Sequence, residues 1–220
     1  MKRCPVALAV VGLAFQGMVW AEQDGPFTYE IRTNGAVITA YEMGYTNGML
    51  HIPPQLGGHP VTTIGSLAFF SALFAEADIP ESVTTIEGDA FQQCKFTTLN
   101  IPDTVSSIGP WAFQECTGLT NLHMGSGIST IERGVFFGCR GLRAATIPAS
   151  VATIGEDAFG SCVSLRQVTI SNGVATIQNR AFGGCVSLTS VTIPASVVTI
   201  GDGPFHSCGS LMAIQVDPGN

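Results

Sequence analysis

From Val61 to the end of the chain, apolar residues return at an interval of 22 or 23 positions. Ile64, Ile86, Ile108, Ile131, Ile154, Ile177 and Ile200 are followed, each five residues later, by Phe69, Phe91, Phe113, Phe136, Phe159, Phe182 and Phe205. Self-similarity at this period marks a solenoid, in which one unit cannot bury its apolar face alone and depends on stacked neighbours. Fold, cysteines and function must therefore be read in register, unit against unit.

Each unit divides into three pieces. In Leu165-Arg166-Gln167-Val168-Thr169-Ile170 the apolar places predict a strand with Leu165, Val168 and Ile170 inward and Arg166, Gln167 and Thr169 outward. Pro80, Pro102, Pro148 and Pro194 end that strand by removing a ladder donor, and Ser171-Asn172-Gly173 turns without proline. A second extended piece, Val-x-Thr-Ile, follows; its Val and Ile stand three apart, which predicts a bend between them. The third piece, Gly-x-x-Ala-Phe-x-x-Cys, has helix-like spacing over about two turns and predicts a short helical or 3₁₀ segment. Seven such units stacked at about 4.8 Å give a body about 30 to 35 Å long. The first two are one residue short between the cysteine place and the proline, and the first carries Ala72 at the cysteine place with extra Phe70 and Phe74.

Residues 27 to 52 break the period and alternate instead, with Phe27, Tyr29 and Ile31 on one face. Asn34-Gly35 and Asn47-Gly48 each supply the dipeptide of a two-residue hairpin turn. Residues 22 to 60 are therefore expected to form a β-hairpin cap on a solenoid spanning 61 to 220, because an uncapped end exposes apolar surface and strand edges. The far end has no evident cap: Leu211, Ile214 and Val216 lead directly into Asp217-Pro218-Gly219-Asn220. That predicts end-to-end self-association or further sequence.

The run Ser187-Leu188-Thr189-Ser190-Val191-Thr192-Ile193-Pro194-Ala195-Ser196-Val197-Val198-Thr199-Ile200-Gly201 resembles the BspA-like leucine-rich repeats of bacterial surface proteins, relatives of a treponemal repeat type. The stretch from Ile52-Pro53-Pro54 through Gly57-Gly58-His59-Pro60-Val61-Thr62-Thr63-Ile64-Gly65 looks like that family's first repeat, so the resemblance covers about residues 49 to 216. It implies a β-rich α/β solenoid, a right-handed leucine-rich-repeat superhelix of about seven repeats. It also implies a non-enzymatic adhesin or surface antigen that binds matrix proteins, microbes or cell receptors.

Met1 to Ala21 reads as a secretory signal, with Lys2 and Arg3, an apolar run from Val6 to Val19, and small residues before a cut after Ala21. The run is too short to span a bilayer, so no transmembrane segment is expected after its removal. The formal net charge is −7, and losing Lys2 and Arg3 makes the chain more acidic still. With no basic cluster, nucleic-acid binding is not expected.

Six of the seven cysteines form a column: Cys94, Cys116, Cys139, Cys162, Cys185 and Cys208. In an exported protein that suggests disulfides. Side chains of a ladder all point one way, however, and buried thiols filling a repeated core slot fit better. His51, His59, His123 and His206 read as falling at unrelated places of the repeat, and no nucleophile elbow, phosphate loop or zinc motif is present. Neither catalysis nor a cofactor or metal is expected.

The candidate binding surface is the outward face of the first strand. One column runs Asp78, Asn100, His123, Thr146, Thr169, Thr192 and Gln215; its neighbour runs Thr97, Thr120, Arg143, Arg166, Thr189 and Met212. Arg143 and Arg166 stack as a grip for an acidic group, while Glu76 and Asp78 give the N-terminal end the opposite sign. The expected partner is a protein or glycan on a host, matrix or microbial surface. Trp111 and Phe137 read either as exposed anchors or as packing between units.

Overall fold

The computed structural model describes residues 21–42 and 48–217. The expected export signal, apart from Ala21, lies outside the described residues, as do Cys4 and Asn47 of the second proposed turn. The chain winds as a β-solenoid whose cross-section has three sides: a front ladder of first strands, a back ladder of Thr-Ile pairs, and a ridge of turns. Among the described residues there is no helix.

At the N-terminal end β1 (Glu22–Asp24), β2 (Phe27–Arg32) and β3 (Gly35–Tyr41) form an antiparallel meander. Arg32 pairs with Gly35, so the two-residue loop is Thr33-Asn34, one place earlier than the Asn34-Gly35 dipeptide suggests. Gly35 is needed for another reason: a Cβ there would collide with the Pro60 carbonyl and the Thr62 side chain. β4 (Met49–His51) and the short β5 (Gln55–Leu56) follow, and β5 folds back on β6 (His59–Ile64). β3 then pairs in parallel with β6, so the hairpin continues the back ladder while covering the end of the core.

The front ladder holds β4 and then Glu76–Asp78, Thr98–Ile101 and Asn121–Met124, in parallel register. A second set, Ala144–Ile147, Gln167–Ile170, Ser190–Ile193 and Ala213–Val216, continues it. The back ladder joins β6 to Thr85–Ile86 and Ser107–Ile108, and separately Thr130–Ile131 through Thr199–Ile200. Among the described residues, both ladders are interrupted at the same level, between the third and fourth units.

The bend expected in Val-x-Thr-Ile is present. Val151 and Ile154 are both fully buried, and the Val151 N–H turns back to the Pro148 carbonyl. The expected helical segment is not. Positive φ angles recur in it at places four apart, for example Leu67 and Ser71, Asp89 and Gln93, Trp111 and Glu115, Gly134 and Gly138. Each left-handed residue breaks the helical path, so alternate N–H groups turn along the solenoid axis. Ala68 and Phe70 bond back to Gly65 and Leu67 within the turn, while Phe69 and Ser71 donate to the Ala90 and Gln92 carbonyls of the next unit. The ridge is thereby a third ladder, and it crosses the interruption of the other two through Trp111 to Arg133 and Phe113 to Val135. Satisfying every buried backbone group along the axis explains why spacing suited to a helix yields none.

The core is a set of stacked columns. Phe69 through Phe205 stack nearly parallel at 5.0 to 5.5 Å between ring centres. In the two short units, Phe74 and Phe96 sit edge-on to this stack and are fully buried. Longer units place Leu119, Leu142, Leu165 and Leu188 near that corner, so a larger side chain compensates for one residue less of backbone. Trp111 packs between units, edge-on to Phe137 at 5.8 Å and beneath the Arg133 guanidinium.

Candidate binding face

The strand alternation puts one set of side chains in the core and the other on the front of the ladder. Leu99 and Ile101 are buried, for example, while Asn100 between them is exposed. The parallel register then aligns outward residues of successive units. Asn100 lies opposite His123, Thr146 opposite Thr169, and Thr192 opposite Gln215. The neighbouring column is held in the same way on either side of the interruption: the Thr120 N–H donates to the Thr97 carbonyl, and beyond it Arg166 to Arg143, Thr189 to Arg166 and Met212 to Thr189. Glu76, Asp78, Thr97, Arg143, Arg166 and Thr189 are exposed and Thr120 is half-buried.

One sequence reading is corrected here. β4 belongs to the front ladder, with His51 opposite Asp78, so His51 and His123 share the outward column with Asp78 and Asn100 between them. His51 and Asp78 are 27 residues apart, against 22 or 23 between later members of the column, and this longer step hides the alignment from a count of spacings. His51 Nδ1 stands 3.6 Å from Asp78 Oδ2.

Two adjoining cavities lie on this face, of about 320 and 270 Å³, and both include Asn100 and His123 in their walls. The larger is walled by Glu76, Asp78, Glu81 and Asp103; the smaller extends over Asn121 and Ala144 to Thr146. Neither includes Arg143 or Arg166. The acidic wall of the concavity therefore begins three units toward the N-terminus from Arg143, and the concavity ends at Arg143's own level, with the arginine pair outside its walls.

Glu81 and Asp103 were not legible as site residues because they follow the strand, in the proline turn. Pro80 and Pro102 turn the chain so that these carboxylates join the same rim. Asp103 accepts hydrogen bonds from the Ser126 N–H at 2.7 Å and its hydroxyl at 3.0 Å. These bonds, with His123 nearby, hold its carboxyl below the usual range, so the charge persists into mild acid. Among the described residues, no Lys or Arg side chain forms an ion pair with Glu76, Asp78, Glu81 or Asp103.

The cysteine column is chemically quiet. Five of the six thiols are buried, and each Sγ donates to a Phe carbonyl one unit back, at 3.0 Å for Cys94 and 3.2 Å for Cys185. Burial pushes Cys94 and Cys185 up to about 12 and raises Cys139 and Cys162 well above the ordinary thiol value. Such protonated thiols are poor nucleophiles and poor metal ligands. Among the described residues, no group of three or more His, Cys, Asp or Glu side chains is placed to hold a metal ion.

The BspA-type leucine-rich-repeat pattern matches residues 58–166 and 130–219, in six copies. The chain belongs to the BspA-type leucine-rich-repeat family. This BspA-type chain is similar to the crystal structure of a leucine rich cell surface protein from Faecalibacterium prausnitzii A2-165. The identity is 32% and the TM-score 0.82, over 91% of this chain and 55% of that one. It is also similar to a leucine-rich repeat protein from Eubacterium ventriosum ATCC 27560, 25% identical with a TM-score of 0.71, over 82% of this chain and 50% of that one. The chain thus spans about half the length of these two structures. The T. pallidum leucine-rich repeat protein shares the fold, at 23% identity and a TM-score of 0.50, over 88% of this chain and 91% of that one. No curated protein matches the chain in sequence.

Proposed function

We propose that the BspA-type chain is a non-enzymatic binding module of an exported or surface-held protein, and that its front ladder holds a protein or glycan partner. The observation that carries this reading is the division of labour within the repeat. Inward columns are nearly uniform, whereas the outward column passes through imidazole, carboxylate, amide and hydroxyl side chains over a face with two open cavities. Such a face varies its recognition chemistry without disturbing the core. The surface location is supported by the similarity to the Faecalibacterium leucine rich cell surface protein. No helix among the described residues is long and apolar enough to cross a membrane. With an acidic chain and no basic stripe, nucleic acid is not the partner proposed.

The test is a panel of immobilised matrix proteins and glycans probed with the chain. A variant carrying Thr146→Trp and Thr169→Trp obstructs the outward column without touching the core. Every surface the wild type captures should be lost by this variant and kept by Lys95→Ala/Arg140→Ala on the ridge. Capture that survives the tryptophans assigns binding elsewhere.

A second reading rests on the C-terminal end, where Val198, Ile200, Ile214 and Val216 are between 53% and 81% exposed beside two strand edges that no further strand pairs among the described residues. Under it, the module assembles through this end with a further β-rung. Sedimentation across a concentration series tests it, and Ile214→Asp should abolish any association seen.

A further inference from the structure

The front face carries opposite charges at two levels. Glu76, Asp78, Glu81 and Asp103 surround the larger cavity, while Arg143 and Arg166 stack three and four units beyond the strand of Glu76 and Asp78. At about 4.8 Å per unit the two arginines lie about 14 to 19 Å from Glu76 and Asp78 along the ladder. Between them the outward column holds Asn100, His123 and Thr146, which are uncharged or weakly basic, short, and able to donate or accept hydrogen bonds. The two cavities adjoin through Asn100 and His123, giving a trough across the strands that begins in the acidic end and stops beside Arg143.

The charges are free to act on a partner. The His51 imidazole is the one basic side chain within ion-pair distance of the four carboxylates among the described residues. Arg32 and Arg133 pair with carboxylates elsewhere, and among the described residues Arg143 and Arg166 pair with none. A concave wall lined with charge of one sign focuses its field into the trough, so an acidic cavity with no Lys or Arg paired to it among the described residues favours a cationic side chain.

On the reading that the front face is the binding surface, we propose that it receives an extended polypeptide segment laid across the strands. The segment places a Lys or Arg in the acidic cavity and an acidic residue four to six positions away against Arg143 and Arg166. That separation follows from about 3.3 Å per residue in an extended chain spanning the 14 to 19 Å between the groups. Charge order fixes the direction of the segment, which a face made only of Thr and Asn could not do.

The probe is a fluorescent peptide, acetyl-Lys-Lys-Ser-Gly-Ser-Gly-Glu-Glu-amide, with a control of the same composition in which Lys and Glu alternate. Fluorescence anisotropy at low salt should show binding of the first peptide. It should weaken about fivefold in Glu76→Gln/Asp78→Asn and similarly in Arg143→Ala/Arg166→Ala, and fade at physiological salt. The alternating peptide should bind less well than the ordered one. No binding at low salt, or binding as tight as the wild type's by either double variant, overturns the proposal. Running Glu76→Gln/Asp78→Asn on the same matrix and glycan panel separates the two readings. Capture lost with the tryptophan variant but untouched by this one leaves the face as the binding surface and removes the charge-ordered peptide. Capture untouched by either removes both.

Discussion

Phe69 and Phe205 occupy the same place in the repeat, yet they live in different surroundings. Phe69 is 1% exposed, stacked on Phe91 and covered by Tyr41 at 5.3 Å. Phe205 stacks on Phe182 at 5.5 Å, remains half-buried, and has no ring on its other side among the described residues. The contrast repeats in the front ladder, where Leu50 is 2% exposed and Ile214 is 53% exposed. In a solenoid, stability is close to a sum of units and nearest-neighbour interfaces, so the worth of an identical side chain depends on whether a neighbour lies beyond it.

Truncating the rings gives the largest test of this contrast. Phe69→Ala, and Phe136→Ala in the middle of the stack, should each cost about 3 to 5 kcal/mol, measured by denaturant unfolding. Phe205→Ala should cost less than half as much; equal costs would show that the C-terminal end is covered in solution. Next comes the strand pair: Leu50→Ala is expected to cost about 2 to 5 kcal/mol and Ile214→Ala under about 1 kcal/mol.

The thiols report the same gradient. Cys208 is partly exposed and should react with a thiol reagent in the folded chain, whereas Cys94, Cys116, Cys139, Cys162 and Cys185 should react only on unfolding. Because burial holds the folded thiols protonated up to about 12 at Cys94 and Cys185, the unfolded chain releases their protons first. The stability tied to the protonated thiols is thus fully present below about pH 8.5, the ordinary thiol value, and is lost progressively as pH rises toward 12. Unfolding midpoints at neutral pH and at pH 10.5 check this, and a flat profile would contradict the burial of the column.

The smallest expected effects concern the ridge and the level where the strand ladders are interrupted. Arg180 holds a φ of 51° at a place where two other units have Gly134 and Gly203. Arg180→Gly should therefore stabilise the chain by up to about 1 kcal/mol, since a left-handed non-glycine residue costs about 1 to 2 kcal/mol before glycine's extra unfolded-state entropy is counted. The reverse change, Gly134→Ala, should destabilise, because a Cβ there would drive into the Trp111 ring. In hydrogen exchange, amides of Thr130–Ile131 and Ala144–Ile147 should exchange faster than their equivalents one unit later, which are paired on both sides. Equal protection would mean that the ridge bonds alone keep the two halves closed.

Much of the fold was legible because the repeat states its inward positions seven times over. Ile, Phe, Cys and Leu recur at places that must face a core, and Pro or Gly marks where the strand must end. The helix-like spacing misled because periodicity records which side chains face inward and not the sign of φ between them; Leu67, Asp89, Trp111 and Asp157 are ordinary residues in left-handed conformation. For the candidate site, the outward columns could be written down from the register, including Asp78, Asn100, His123, Arg143 and Arg166. The cavities could not, because their walls combine strand residues with Glu81 and Asp103 from the turns of successive units.

The amino-acid sequence by itself determined the solenoid, its period, the inward columns and the outward faces, since a 22- or 23-residue repeat of apolar places has few ways to bury them. The tertiary structure decided what one-dimensional spacing leaves out. It joined His51 to the column of His123 across an irregular unit, turned alternate ridge amides along the axis, and set the concave part of the face at Asp78, Asn100 and Asp103. The physical reason is common to all three: they depend on contacts between units, which form only when the chain has closed its turns and stacked them.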